Sequence, residues 1–159
     1  MRSSLMLLCL FSLSAVGSMG CAEEEDSSAP EGLLTEALRL RFNSGMDERA
    51  RLVIRDEPAW KEAWARISNH GDRPAKIDFE RHVVIVVAMG TQPTSGYAIG
   101  LESVEVSGAT AAISVLEVSP DAGCGVLQET TAPLSVFVAP RFDGEATFVE
   151  RTKKLSCRP

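Results

Sequence analysis

The order of apolar and polar positions divides the chain into short β segments and one helix. Leu34, Leu38, Leu40 and Phe42 alternate with polar residues, which predicts a strand over 33–42 with one wet face. Ser44-Gly45 turns the chain, and residues 49–54 alternate less cleanly into a second strand. Asp56-Glu57-Pro58 is an acidic helix start with proline in the first turn, where its missing N–H costs nothing. Trp60, Trp64 and Ile67 then recur at i, i+4 and i+7, with Ala63 between them. That spacing lays one apolar stripe along a helix and predicts a core-facing role for both tryptophans. Asn69-His70-Gly71 ends it.

Val83 to Met89 is a continuous apolar run, too short for a helix of its own and rich in β-branched residues. Such a run predicts a strand covered on both faces, near the middle of a sheet. Tyr97, Ile99 and Leu101 alternate, then Val104 and Val106 continue after a change of phase. Gly108 turns the chain back into 112–118, so the two stretches read as a hairpin. Strands are further expected over 134–138 and 148–155. The expected class is α+β and mostly β. It comprises an antiparallel sheet or small sandwich of about seven strands with one packed amphipathic helix. Strand–helix alternation is missing, which argues against a doubly wound parallel sheet.

The N-terminus reads as an address. Arg2 precedes an apolar stretch from Leu5 to Val16, too short to span a bilayer, which needs about 20 helical residues. Gly20-Cys21 resembles the lipobox of bacterial lipoproteins, although Ser18 and Met19 depart from it. The resemblance implies a signal peptide over 1–20 and lipid on Cys21. Ala22, in place of aspartate, resembles the pattern that lets lipoproteins reach an outer membrane. Residues 21–32 hold Glu23, Glu24, Glu25 and Asp26, and like charges stretch such a tether. A single domain is expected over 33–159, held in the bacterial cell envelope by its lipid.

Charge and cysteine count narrow the chemistry. The 16 basic residues face 22 acidic ones, a net charge of −6, so nucleic acid is a poor partner. Loss of Arg2 with the signal leaves 15 against 22, or −7. With Cys21 acylated and Cys9 removed, Cys124 and Cys157 remain as an even pair in an oxidising compartment. One disulfide is the simplest account. Closing a loop of about 33 residues, it stabilises by roughly 3–4 kcal/mol. A catalytic cysteine is the sharper alternative, but neither thiol has a histidine close in sequence.

His70 and His82 lack the spacing of metal ligands, and no cofactor fingerprint, phosphate loop or nucleophile elbow occurs. Ser95, His82 and Asp78 supply the residue types of a hydrolytic triad, but nothing singles them out. The expectation is a domain without enzymatic activity, metal or cofactor. The distinctive segment is Thr91-Gln92-Pro93-Thr94-Ser95-Gly96-Tyr97, between the buried run and the hairpin. Pro93 fixes one backbone angle, Gly96 permits a positive one, and three hydroxyls can bond local backbone. A stiff loop beside the chain's single tyrosine suits protein recognition, because little order remains to be imposed on binding. A purely structural turn satisfying its own backbone fits the same residues.

A hydrophobic strand followed by Gly90-Thr91-Gln92-Pro93-Thr94-Ser95-Gly96-Tyr97, Pro120, and Thr131-Ala132-Pro133 leading into 134–138 resembles the PrcB C-terminal domain family. The Trp60–Trp64 helix and Asp78-Phe79 resemble its lead-in, so the likeness runs over about 56–142. The family takes its name from a subunit of a bacterial surface protease complex, and its members are typically exported. The resemblance implies a binding or accessory subunit whose partner is a secreted protease. Residues 92–97 are also similar to one loop of chagasin-type cysteine protease inhibitors, which implies an alternative inhibitory role. There the family's Gly-rich and Arg-Pro-aromatic loops match poorly: Gly123-Cys124-Gly125 is a weak counterpart, and Pro140-Arg141-Phe142 inverts the other.

Overall fold

The structure is a computed structural model that describes residues 44–68 and 73–157. It contains β1 (Arg49–Ile54), α1 (Glu57–Ile67), β2 (His82–Met89), β3 (Ala98–Ser107), β4 (Thr110–Pro120), β5 (Leu134–Pro140) and β6 (Ala146–Leu155). The strand expected over 33–42, the signal peptide, Cys21, the tether and His70 lie outside the described residues.

Six strands form two three-stranded sheets, β1-β2-β5 and β3-β4-β6. The first sheet is antiparallel throughout, and β3 pairs antiparallel with β4. The expectation of an antiparallel arrangement fails at one place: β6 runs parallel to β4, from Ala111↔Ala146 to Pro120↔Leu155. Alternation along a strand fixes its faces but says nothing about its direction relative to a partner. Here the chain leaves β5 and enters the second sheet beside the start of β4. Gly144 N–H donates to Ala109 O at 2.7 Å and Ala111 N–H to Glu145 O at 3.0 Å. A Cβ on Gly144 would sit 2.2 Å from Ala109 O, so only glycine lets the two backbones approach there.

The first sheet is the middle of three layers. Helix α1 begins because the Asp56 side chain accepts from Ala59 N–H at 2.8 Å, satisfying one free donor of the first turn. Its stripe of Trp60, Ala63, Trp64 and Ile67 packs on Val84, Val86, Ala88 and Val136. Trp60 is 1% exposed and spends its indole N–H on Ala75 O at 3.0 Å. The opposite face, with Val83, Ile85, Val87, Phe137 and Ala139, meets Ile99, Ala111, Ile113 and Val115 of the second sheet. Residues 83–88 are all buried, as expected of a strand covered on both sides. The phase change in β3 is a bulge: pairing jumps from Leu101↔Val115 to Ser103↔Ser114, leaving Glu102 unpaired in the ladder.

A cluster of charges joins the two sheets. Arg51 of β1 points inward, 12% exposed, and its guanidinium donates to Glu117 of β4 at 2.5 Å and to Glu150 of β6 at 2.7 Å. Arg49 reaches the same two carboxylates at 3.0 and 3.1 Å. The remaining Arg51 donors go to Ala50 O and Ala88 O, both at 2.8 Å. An inward arginine explains why β1 alternates less cleanly than its neighbours. The hydrogen bond from Arg51 holds the Glu150 carboxyl below the ordinary carboxylate range, against the opposing effect of burial. Burial by itself would lower Arg51, but its bonds to Glu150 and Glu117 outweigh that and raise it.

A carboxyl depressed in the folded state contributes stability above its unfolded pKa and loses it as pH falls through the folded value. Glu150→Gln is therefore expected to cost about 0.5–1 kcal/mol at pH 7, since the carboxylate is partly screened by solvent. The gap from wild type should narrow as pH falls below the ordinary carboxylate range, as followed by urea unfolding at pH 7 and at successively lower pH. A gap that does not change with pH would contradict the linkage.

Candidate functional site

The segment 91–97 leaves the C-terminal end of β2 and crosses to the start of β3. Thr91 N–H and Oγ1 both donate to Asp47 O, at 2.9 and 3.3 Å. Gln92 and Thr131 exchange main-chain hydrogen bonds of 2.7 and 3.0 Å, an isolated bridge to the approach of β5. The Gln92 amide donates to Met89 O at 3.3 Å, and Thr94 Oγ1 to Ser95 O at 3.1 Å. Thr131 Oγ1 in turn donates to Thr94 O at 3.0 Å. Ser95 N–H donates to Leu127 O at 3.0 Å while Ser95 Oγ accepts Leu127 N–H at 2.9 Å. Gly96 has φ +90°, and a Cβ there would press on Pro120 and Val126 at 3.3 Å. Glycine thus meets two demands, a left-handed backbone and close cover by the neighbouring loop.

All three hydroxyls of the loop therefore bond to backbone. These bonds stiffen the turn. The loop exposes Thr91, Pro93 and the backbone of Gly96, with Tyr97 half-buried. Beside them stands Leu127, 65% exposed. Sequence reading missed Leu127 because the loop 121–133 shows no periodicity. Its one signal was an isolated large apolar residue between Val126 and Gln128-Glu129. The site is a pair of loops, 91–97 and 121–131, stitched together through Ser95–Leu127 and Gln92–Thr131. A glutamate at Leu127 would point into solvent from the outset, so Leu127→Glu is expected to leave stability within about 0.5 kcal/mol of wild type. A loss above about 1.5 kcal/mol in urea unfolding would show that Leu127 packs inward.

The second loop is tied down covalently. Cys124 and Cys157 lie at bonding distance, Sγ–Sγ 2.01 Å, at a sequence separation of 33. Asp121 N–H donates to Leu155 O at 3.1 Å beside this bridge, linking the loop to the end of β6.

Ser95, His82 and Asp78 do not meet. Ser95 lies beyond the C-terminal end of β2 and His82 at its start, a separation of roughly 20 Å along an eight-residue strand. The His82 ring faces the main-chain oxygen of Asp78 at 3.3 Å, and the Asp78 carboxylate accepts Glu80 N–H. Among the described residues no group of three or more His, Cys, Asp or Glu could hold a metal ion. The groove between β1 and α1 is lined by Leu52, Ile54, Ala59 and Ala63 with Arg51, Glu62 and Arg66. Pro140-Arg141-Phe142 sits at the far end of β5 from the paired loops, with Arg141 N–H on Arg81 O and Phe142 buried. It cannot stand beside residues 92–97 on one binding edge, which removes the geometry the chagasin-type likeness requires.

These loops fall inside a segment that matches a family model. Residues 83–139 match the PrcB C-terminal family. The match takes in β2 to β5 and both loops, a little over a third of the chain. The Trp60–Trp64 helix lies outside it. Neither the curated proteins nor the solved structures compared with the chain give a match.

Proposed function

We propose that this protein is an exported, non-catalytic accessory domain, held to the bacterial cell envelope by lipid on Cys21, that binds a secreted protease through its paired loops. The carrying observation is the committed hydrogen bonding of loop 91–97, which fixes Pro93 next to the exposed Leu127. A surface already ordered before contact spends little conformational entropy on association. The exposed leucine and proline add apolar area that is already in place before a partner arrives. The family match over residues 83–139 supports the association with a protease. The acidic segment 22–32 fits a tether of at most about 35–40 Å between lipid and domain.

Affinity capture from detergent-solubilised envelopes tests the reading. Wild type should retain a protein that both Pro93→Ala/Tyr97→Ala and Leu127→Glu lose by at least about tenfold, a change of about 1.4 kcal/mol. Identical retention by all three proteins would remove the loops from the interface. Intact mass of the mature chain tests the anchor: acyl mass on an N-terminal Cys21 is expected, and an unmodified Cys21 or a retained Met1 contradicts it.

A further inference from the structure

We infer that the Cys124–Cys157 disulfide is a redox-labile staple that governs the order of the paired loops. This inference rests on the binding reading for its consequence but not for its test. Segment 125–130 buries little: Gly125, Leu127, Gln128, Glu129 and Thr130 are exposed and Val126 is half-buried. Its ends are held by the disulfide on one side and by the Gln92–Thr131 bridge on the other. The Leu127–Ser95 pair of hydrogen bonds fastens its apex to loop 91–97, with Val126 lying over Gly96. With so few apolar contacts, the covalent tie limits the conformations open to the segment, and the hydrogen-bonded apex depends on that limit.

The bridge is also reachable. Cys157 is exposed, two residues past the end of β6, and Cys124 is half-buried. A dithiol reductant would attack Cys157 Sγ as thiolate, forming a mixed disulfide and expelling Cys124 as thiolate. Its second thiol then closes the reductant's own disulfide and releases Cys157 as thiolate. Two electrons pass to the protein, both thiolates take up protons, and the dithiol is oxidised. Reduction frees the Leu127 segment at one end, Ser95 loses both of its partners there, and Pro93 and Leu127 no longer stand in fixed relation. Binding through them weakens accordingly.

Amide hydrogen exchange on the full mature chain, oxidised, reduced with excess dithiothreitol, and as Cys124→Ser/Cys157→Ser, reads this directly without a partner. Exchange at Ser95 and Leu127 should rise about tenfold or more in the reduced and doubly substituted proteins. Val84 to Val86 in β2 should stay within about twofold of the oxidised protein. Unchanged exchange at Ser95 and Leu127 overturns the inference, and so does an equal rise in β2, which would signal general loosening. Capture unaffected by Leu127→Glu, alongside the predicted exchange pattern, would sink the binding reading and leave the staple standing.

Discussion

Replacing Trp60 by alanine is expected to lower stability by about 3–5 kcal/mol, the largest single loss available in the α1 layer. Trp60 is 1% exposed and packs against Trp64 with ring centroids 5.3 Å apart at 60°. Truncation removes that tilted aromatic pair, opens a cavity over β2 and leaves Ala75 O without its indole donor. Losing so much of a typical reserve of 5–15 kcal/mol brings a small domain close to unfolding. Urea unfolding followed by far-ultraviolet circular dichroism measures it. Trp60→Phe should recover more than half of the loss, because it refills most of the volume. A loss below about 1 kcal/mol for the alanine variant would mean that α1 is not integral to the core.

Arg51→Leu is expected to cost about 3 kcal/mol, although it replaces a polar group by an apolar one in a sheet interface. The reason lies with the partners. Glu117 is 13% exposed and would keep only Arg49, itself largely in solvent, to compensate its charge. Ala88 O and Ala50 O lose their donor as well. If stranded charge is the cause, Arg51→Leu/Glu117→Leu should be more stable than Arg51→Leu alone by at least about 1 kcal/mol. Equal stability of the single and double variants would mean that the loss comes from packing, and that the charges contribute nothing to joining the sheets.

The fold was legible where the chain's pattern records which faces are covered. The apolar run before Gly90 predicted a strand buried on both sides, and β2 is sandwiched between α1 and the second sheet. The break in alternation after Leu101 predicted a change of face, which the bulge at Glu102 supplies. The direction of β6 was not legible, because alternation is the same for parallel and antiparallel pairing. The inward Arg51 was not legible either: a charge beside apolar residues reads as a wet face until its partners arrive from strands 66 and 99 residues away.

At the candidate site the stiffness of 91–97 was legible in Pro93, Gly96 and the hydroxyls. Where those hydroxyls bond was not, since Leu127 and Thr131 reach them from another loop. Leu127 has no neighbours in sequence that mark it. Only the fold, by setting its amide on Ser95, makes it part of the same surface.

Photo-crosslinking in living cells tests the binding surface most directly. A photoreactive phenylalanine analogue is placed at position 93 or 127, and in parallel at exposed position 105, toward the opposite end of β3. Discrete adducts to one envelope protein from 93 and 127, with none from 105, are expected. Adducts from 105 alone, or none from either loop position in a folded, exported protein, would contradict recognition through these loops.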